Sequence, residues 1–485
     1  MDASAMATTE PALVVDMDGT LVRTDTLHEA LLGLVADPAA GPALLRALRR
    51  GKAPFKQAVA DRALAATDQL PLDEGVIELI RAARAEGRRV ALVSASDHRQ
   101  VEAVAAAVGL FDEAFGTGSP EAEGVNLAGA AKAAFLTARY GAKGFDYIGD
   151  SAADLPVWAA ARRAMTVRAS RSLRTAVAAA APQAEHLSPP ARGLQALWPY
   201  LKALRPHQWS KNLLIFVPAL AAHAFGQLPE AFAAFVAFSL VASSVYLVND
   251  MLDIQADRAH PRKRNRPFAS GAIPAAHGAV LAPLLALAAA VIALLFTPPA
   301  FLGVLALYYC VTFAYSLTLK RRLIIDVCTL AGLYTLRLIA GSAATDATLS
   351  PWILAFSMFL FLSLAAIKRQ AELADQLKAG GSGSAGRAYM VEDLPVMRDM
   401  SLSAGYAAIL VFALYINSDA VVDLYRRPEI LWAICPLLLY WISRIVMITH
   451  RGWMEDDPIV YAARDRNSIV VVVLAALVIL AAGPV

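Results

Sequence analysis

The chain has 485 residues, of which 58% are hydrophobic and 18% are charged, and its formal net charge is +3. The length argues against a single globular domain. The small net charge, with no stripe of basic and aromatic residues, argues against nucleic acid as a partner.

The composition divides the chain into two parts. Residues 1–200 are rich in Arg, Asp and Glu, whereas the sequence from residue 212 onward consists of apolar stretches of membrane-spanning length. We predict about nine spans, at residues 212–226, 230–250, 277–297, 299–318, 324–343, 351–367, 401–418, 428–448 and 467–483. The all-α membrane domain is therefore expected at residues 206–485, after a linker and juxtamembrane helix at 187–205.

Charge in the loops predicts the orientation in the membrane. One alternate set of loops holds nearly all the Lys and Arg residues, and the opposite set holds only Arg426 and Arg427. The positive-inside rule puts the first set, and the N-terminal domain with it, in the cytoplasm. The first residues lack the pattern of a cleaved signal peptide. We expect an integral protein of a bacterial cytoplasmic (inner) membrane, surrounded by membrane lipid.

The N-terminal part alternates predicted strands and helices, as an open α/β sheet does. Strands are expected at 12–16, 89–94, 145–148 and 165–167, with helices near 75–86, 99–108, 129–140 and 151–162. Residues 25–74 interrupt this alternation and predict a helical cap. The stretch from Leu194 to Leu204 has leucines at helical spacing, which fits either a helix on the membrane surface or an ordinary linker helix.

Polar residues at the ends of these strands suit phosphoryl transfer. Asp16 and Asp18, two residues apart, can supply a nucleophile and an acid/base. Ser94 ends a second strand and can donate to a phosphoryl group, and Lys132 can neutralise it. Asp150 and Asp154 follow a third strand and suit magnesium.

This ordered set resembles the haloacid dehalogenase superfamily of phosphatases over about residues 11–186. The resemblance implies a Rossmann-like fold, with Asp16 as the nucleophile and Asp18 as the acid/base. It also implies phosphate binding by Ser94 and Lys132. The predicted magnesium ligands in this domain are Asp16, Asp18, Asp150 and Asp154.

A second acidic motif follows the second predicted span. Asn249, Asp250, Asp253 and Asp257 are spaced by three and four residues, so they share one face of a helix. Carboxylates on one face repel one another unless a cation bridges them, and oxygen ligands suit magnesium. The basic run from Arg262 to Arg266 would complement a polyphosphate.

This motif resembles the UbiA superfamily of intramembrane prenyltransferases, over about residues 198–485. The segment from Tyr315 to Lys320, and Asp326 after it, fit the same family. Typical members carry a second acidic motif after the sixth span. This chain has Lys368 and Arg369 there, which predicts a site for one more phosphate group instead of a second metal cluster.

With this departure, the chain resembles the branch of the family that acts as polyprenyl-phosphate phosphoribosyltransferases. The segments Arg205–Asn212 and Glu455–Arg466 fit the same branch. The resemblance implies that 5-phosphoribosyl diphosphate and a polyprenyl phosphate are the substrates, and that magnesium is the cofactor at both sites. Asp250 and Asp253 are the predicted catalytic residues. The predicted substrate contacts are Lys211, Asn249, Arg266, Tyr315, Lys320, Lys368 and Arg369.

The predicted function joins the two parts. The membrane domain would make a 5-phosphorylated lipid-linked ribose for cell-envelope glycans, and the phosphatase would remove the 5-phosphate. A first alternative is prenyl transfer onto an aromatic or quinone precursor, beside a separate phosphatase. A second alternative is a membrane-anchored phosphatase or a transporter.

Overall fold

The structure, a computed structural model, describes residues 10–34, 37, 39–122, 124–189, 193–378, 380–381, 383, 387–422, 424–454 and 457–483. The chain forms two compact units. The first contains Met1–Leu204 and Leu247–Leu281, and the second contains Arg205–Tyr246 and Ala282–Val485. The acidic motif from Asn249 to Asp257 therefore belongs to the same unit as the N-terminal domain.

The first unit is built on a six-stranded parallel sheet with the order β3-β2-β1-β4-β5-β6. The strands are β1 (Ala12–Val15), β2 (Val90–Asp97), β3 (Glu113–Thr117), β4 (Phe145–Gly149), β5 (Ala164–Thr166) and β6 (Glu185–His186). The strand order reverses at β1, where a ligand crevice forms at the carboxyl ends of the strands in open sheets of this type.

Nine helices belong to the N-terminal part of this unit among the described residues. They are α1 (Thr26–Gly33), α2 (Ala40–Arg50), α3 (Lys52–Ala60), α4 (Glu74–Ala85), α5 (His98–Val108), α6 (Ala130–Tyr140), α7 (Leu155–Ala160), α8 (Arg171–Ala180) and α9 (Leu194–Leu204). Helices α1 to α3 confirm the predicted helical cap. Leu13 and Val15 of β1 face one buried apolar cluster, and Val14 faces the other, so both sides of the strand are buried.

The rest of the chain is helical. These helices are α10 (Val217–Ala221), α11 (Leu228–Leu252), α12 (Ile254–Ala259), α13 (Ala275–Phe296), α14 (Pro299–Leu317), α15 (Ile325–Thr345), α16 (Pro351–Lys378), α17 (Leu394–Ile416), α18 (Asp419–Val422), α19 (Ile434–His450), α20 (Pro458–Arg464) and α21 (Arg466–Ala482). Within the described residues, seven helices are long and apolar enough to cross a membrane, or eight if the bent pair α20–α21 is one span.

The predicted number of nine spans is not confirmed. The first predicted span, 212–226, contains part of a 3-10 helix (Pro206–Phe216) followed by the five-residue α10. Pro218 lies in the first turn of α10, and a positive φ at His223 follows that helix. This backbone is too irregular and too short to form a spanning α-helix.

Helix α9 forms where the sequence predicts it. Four of its large apolar side chains are exposed, namely Leu194, Leu197, Trp198 and Leu201. Within the first unit, Tyr200 hydrogen bonds to His277 (2.7 Å) and Lys202 donates to the Asn265 carbonyl (3.0 Å). The helix is thus held by its polar side chains, and much of its apolar surface is left uncovered.

Candidate functional site

The first candidate site lies at the carboxyl ends of β1, β2 and β4. Asp16 directly follows β1 and Asp150 directly follows β4, so adjacent parallel strands bring them to the same edge. Lys132 enters from α6, and its Nζ donates to Asp16 Oδ1 (2.9 Å), Asp154 Oδ1 (3.2 Å) and Tyr147 Oη (2.9 Å). The sheet therefore assembles residues from three distant parts of the sequence.

Three carboxylates at this edge form a candidate cation site. Oxygen atoms of Asp16, Asp150 and Asp154 lie within 4.8 Å of one another, and theirs is the one such acidic group among the described residues. Burial raises the pKa of Asp16 to about 8 and that of Asp150 to about 6, and repulsion from Asp154 adds to both shifts. A set of crowded, buried oxygen ligands fits magnesium, whose charge would relieve this repulsion.

Asp18 has different surroundings from Asp16. Its carboxylate accepts hydrogen bonds from Ser96 Oγ (2.6 Å), Ser94 Oγ (3.3 Å) and the Thr26 amide (2.8 Å). Asp18 is not part of the carboxylate group described above, so the predicted role of its side chain as a metal ligand is not supported. Burial raises the pKa of Asp18, a shift that suits a residue that must hold a proton.

A cavity of about 390 Å³ opens over these residues. Arg23, His28, Lys56 and Pro274 also line it. Lys56, in α3 of the cap, donates to the Asn126 side chain (3.1 Å), and burial lowers its pKa. The sequence analysis missed Lys56, because a lone lysine in a helical cap carries no motif.

Gly19 shapes the floor of the cavity beside Asp150. Its φ is +75°, and a Cβ placed on it would lie 2.2 Å from Asp150 Oδ2. The close approach of the backbone to this carboxylate therefore requires glycine.

We expect Gly19→Ala to lower the kcat/KM for a small phosphate ester by about a hundredfold, because a shift of about 1 Å in a catalytic group has effects of that order. The matched control is Gly87→Ala, whose φ is also +75° but whose added Cβ would meet nothing within 4 Å. Steady-state hydrolysis of para-nitrophenyl phosphate by both variants measures the difference. Equal rates for the two would show that crowding of Asp150 has no consequence.

The second candidate site is the acidic motif that begins in the last turn of α11. The helix ends at Leu252, yet amides of Asp253 and Asp257 donate to carbonyls four residues earlier, at Asn249 and Asp253. Asn249, Asp253 and Asp257 therefore follow one another along one side of a nearly continuous helical path. The shared face predicted for all four residues, including Asp250, stays a prediction.

Arg266 supplies the positive charge at this motif. Its Nη1 donates to Asp250 Oδ1 (3.1 Å) and to Asp257 Oδ2 (2.7 Å), and both aspartates are buried. Burial raises the pKa of Asp257, and the charge of Arg266 opposes that rise. Two buried carboxylates therefore share one guanidinium. Among the described residues, the predicted ligands Asn249, Asp250, Asp253 and Asp257 do not form a group of three acidic side chains with oxygens within 4.8 Å of one another.

In the second unit, two of the predicted substrate contacts converge on one atom. Lys211 Nζ and Lys368 Nζ lie 2.8 Å and 3.0 Å from Asp457 Oδ2. Burial alone would raise the pKa of Asp457, but the two lysines hold it well below its usual range. Residues 455 and 456 of the predicted acidic segment lie outside the described residues. The arrangement places two ammonium groups around one oxyanion.

Arg369, in contrast, is fully buried in an ion-pair network of its own. It donates to Asp326 (2.5 Å) and to Glu372, while Tyr315 Oη donates to Asp326 Oδ1 (2.7 Å). Arg387 also donates to Glu372. Because Arg369 is fully buried against Asp326, and Tyr315 donates to that same carboxylate, this placement does not support direct substrate contacts for them. Lys320 lies in the short 3-10 helix Leu319–Arg321.

The sequence analysis also missed Arg337 within α15. Its guanidinium donates to Asn212 Oδ1 (2.9 Å), Tyr308 Oη (3.0 Å) and the Leu333 carbonyl (2.6 Å). Its Cζ lies 5.2 Å from the ring centroid of Tyr334, against which Lys211 also packs (5.7 Å). The sequence does contain a signal for Arg337, which lies in the middle of a predicted span. A charge is costly there, so its presence indicates a functional or structural role.

The fold and the two sites define a phosphatase-like α/β domain followed by a membrane-embedded helical domain. Residues 213–469 match the UbiA prenyltransferase family, and residues 13–158 match the haloacid dehalogenase-like hydrolases. The chain belongs to the UbiA prenyltransferase family and carries a haloacid dehalogenase-like domain before the UbiA region. Both predicted resemblances are confirmed.

Individual proteins are similar to this chain over different lengths. Protein y4nM of Sinorhizobium fredii, described as uncharacterized, is 35% identical over 94% of this chain and 88% of its own length. The decaprenyl-phosphate phosphoribosyltransferase of Mycolicibacterium smegmatis is 43% identical over 180 residues, which are 36% of this chain and 56% of that protein. A solved UbiA homolog from Archaeoglobus fulgidus, bound to DMAPP and Mg2+, aligns with a TM-score of 0.44 and 17% identity, covering 58% of this chain and 97% of that one.

Proposed function

We propose that the protein transfers 5-phosphoribose from 5-phosphoribosyl diphosphate to a polyprenyl phosphate, and that its N-terminal domain removes the 5-phosphate from the product. The observation that carries the proposal is the pair Lys211 and Lys368 around one oxygen of Asp457. Two cations converging on one oxyanion suit a phosphate monoester. The 43% identity to a decaprenyl-phosphate phosphoribosyltransferase supports the same substrate pair.

In the transfer step, an oxygen of the lipid phosphate attacks the anomeric carbon of ribose. The bond from that carbon to the diphosphate breaks, and diphosphate leaves with the electron pair. We assign the diphosphate to the motif of Asn249, Asp250, Asp253 and Asp257, with Arg266 as a further contact. We assign the 5-phosphate to Lys211 and Lys368, which would exchange Asp457 for the substrate. Lys320 is a further candidate contact to the substrate.

Magnesium held by the acidic residues of each site would supply positive charge to the phosphate oxygens. In the first unit these residues are Asp16, Asp150 and Asp154. Lys132 would add a fixed ammonium beside Asp16, since burial would lower its pKa but Asp16 and Asp154 raise it. The protein's own contribution is to place these charges before the substrate arrives, which is the main source of electrostatic catalysis.

In the phosphatase step, Asp16 attacks phosphorus while Asp18 gives a proton to the departing 5-oxygen of ribose. Water, deprotonated by Asp18, then cleaves the aspartyl phosphate and releases inorganic phosphate. Ser94 would bind the phosphoryl oxygens. The products are the polyprenyl-phosphoryl ribose and phosphate, which suits a precursor of cell-envelope glycans. We place the protein in the bacterial cytoplasmic membrane, with the N-terminal domain in the cytoplasm.

A substrate comparison tests the proposal. Purified protein in vesicles is given labelled 5-phosphoribosyl diphosphate with polyprenyl phosphate, or prenyl diphosphate with an aromatic acid. We expect labelled lipid only from the first pair. Product from the second pair alone would instead support prenyl transfer, and no lipid product from either would leave the phosphatase as the only activity.

Lys368→Met provides a sharper test of the phosphate assignment. A charge-assisted contact to phosphate contributes about 1.5–3 kcal/mol, so its loss should lower kcat/KM for 5-phosphoribosyl diphosphate by about ten- to a hundredfold. The kcat/KM for a ribosyl diphosphate that lacks the 5-phosphate should change far less. The measurement is the ratio of the two kcat/KM values.

The matched control is Lys378→Met, at the C-terminal residue of α16, where the exposed ammonium donates to the Gly452 carbonyl. We expect this variant to keep the wild-type ratio. An unchanged ratio in folded Lys368→Met protein would remove Lys368 from the phosphate site and weaken the phosphoribosyl assignment.

A further inference from the structure

The segment from Arg258 to Pro274 belongs to the UbiA region of the sequence but packs on the phosphatase domain within the first unit. Arg258 makes a two-pronged ion pair with Glu29 of α1, with Nη1 to Oε2 at 2.8 Å and Nη2 to Oε1 at 2.6 Å. Only 4% of the Arg258 side chain and 3% of the Glu29 side chain are exposed. Arg258 Nε also donates to the Ala269 carbonyl (2.9 Å), which fixes the rest of the segment.

Glu29 connects this ion pair to the loop that follows the nucleophile. Thr24 Oγ1 donates to Glu29 Oε1 (2.5 Å), and the Thr24 carbonyl accepts from the Gly19 amide (3.3 Å). Gly271 lies against the same loop, because a Cβ on Gly271 would be 2.7 Å from Arg23 Cβ. The segment is therefore fitted closely to the entrance of the phosphatase site.

The same segment forms part of the cavity wall and then leads into a candidate membrane span. Pro274 lines the 390 Å³ cavity above Asp16, and the next residue begins α13, a helix apolar and long enough to span a bilayer. Helix α9 contacts this region through Tyr200 and His277, and it exposes Leu194, Leu197, Trp198 and Leu201. An exposed apolar face on a helix that leads to membrane spans suits the bilayer surface.

We propose that the phosphatase site works at the membrane surface on phosphate monoesters whose other end stays in the bilayer, and that the Arg258–Pro274 segment is its positioning element. The proposal rests on the proposed function for the identity of the lipid. A buried ion pair fixes geometry, since either partner alone would be an uncompensated buried charge. The segment would hold the cavity mouth beside the start of α13, where a lipid-linked substrate arrives.

The catalytic contacts themselves do not involve this segment. Lys132 with Asp16, and Ser96 with Asp18, are contacts made wholly within the N-terminal domain. Loosening the segment should therefore affect a lipid-linked substrate and leave a small soluble ester alone. A residue that only stabilised the fold would affect both.

The test compares two substrates in full-length protein reconstituted in phosphatidylcholine vesicles. One substrate is para-nitrophenyl phosphate, and the other is the 5-phosphorylated lipid collected from Asp16→Asn protein. For Arg258→Met we expect the rate on the lipid to fall by about tenfold or more, as it does when one charge-assisted contact is lost. The rate of hydrolysis of the soluble ester should stay within about twofold of the wild-type rate. The double variant Arg258→Met/Glu29→Gln, which leaves no unpaired buried charge and keeps an acceptor for Thr24, should give the same separation.

Arg163→Met is the control, because it breaks an exposed Arg163–Glu185 ion pair (2.7 Å) of the same unit, away from the cavity. We expect it to change neither rate. A parallel fall of both rates in Arg258→Met and in the double variant, or no fall in either rate, would overturn the proposal. If Asp16→Asn protein accumulates no 5-phosphorylated lipid, the proposed function is contradicted, but the proposal that the site works at the membrane surface is not. Phosphatidic acid in the same vesicles then replaces that lipid as the substrate in the test.

Discussion

Asp16→Asn should stop phosphate release and leave lipid product formation intact, so that a 5-phosphorylated lipid accumulates. Asparagine keeps the shape of the side chain but cannot act as the nucleophile, and removal of a nucleophile lowers kcat by about a thousandfold or more. Asp16 contacts Lys132 and lies beside Asp150 and Asp154, so the change is confined to the phosphatase site. The lipid products, separated by chromatography after reaction with labelled 5-phosphoribosyl diphosphate, give the ratio of phosphorylated to dephosphorylated forms.

Asp68→Asn is the matched control, because Asp68 is an exposed carboxylate of the same domain, away from the cavity. Its product ratio should equal that of the wild type. Persistence of phosphate release in Asp16→Asn protein would remove the soluble-site assignment. Loss of both lipid forms would instead mean that the transferase depends on Asp16, which contradicts two separable activities.

The sequence identifies the phosphatase site well because its residues follow buried strands. Asp16 and Asp150 each come after an apolar run, and parallel pairing of β1 with β4 then brings them together without further information. Strands β3 and β6 were not predicted. Residues 113–117 do not alternate apolar and polar side chains, and β6 has only two residues, so their pairing depends on the sheet already present.

Side-chain networks between distant segments are less visible in the sequence. Arg369 stands next to Lys368, and both suggest a phosphate clamp, yet Arg369 is buried against Asp326 while Lys368 reaches Asp457. Successive residues on a helix point about 100° apart, so neighbours in sequence can serve separate sites. Which of the two meets a buried acid depends on the packing of α15 against α16, which no local pattern encodes.

The spacing of residues in the sequence also does not predict which segments belong to the first compact unit. The predicted domain boundary lies near residue 205, whereas residues 247–281 pack with the N-terminal domain. The adjacent residues Asp257 and Arg258 show why. Asp257 pairs with Arg266 at the acidic motif, and Arg258 pairs with Glu29 of the phosphatase cap. One turn of helix α12 thus contacts both the acidic motif and the phosphatase cap.

Asp250→Asn is expected to have the opposite effect to Asp16→Asn. The Asp250 side chain is buried and accepts from Arg266, and the amide would keep its shape while removing one negative charge from the motif. With less charge to hold a cation at the diphosphate, lipid product should fall by about a hundredfold or more, as when one preorganised electrostatic contact is lost. Hydrolysis of para-nitrophenyl phosphate should stay near the wild-type rate. Both rates are measured on one preparation.

The phosphatase rate also serves as an internal check on folding, because Asp250 belongs to the same compact unit as Asp16. Loss of lipid product with normal ester hydrolysis therefore cannot come from unfolding of that unit. Asp399→Asn, at an exposed carboxylate in α17, is the control and should leave both rates unchanged. Normal lipid product from Asp250→Asn protein would contradict the assignment of the diphosphate to this motif. A fall in both rates would show that the Arg266 bridge supports the fold of the unit, and the transferase role of Asp250 would then have to be abandoned.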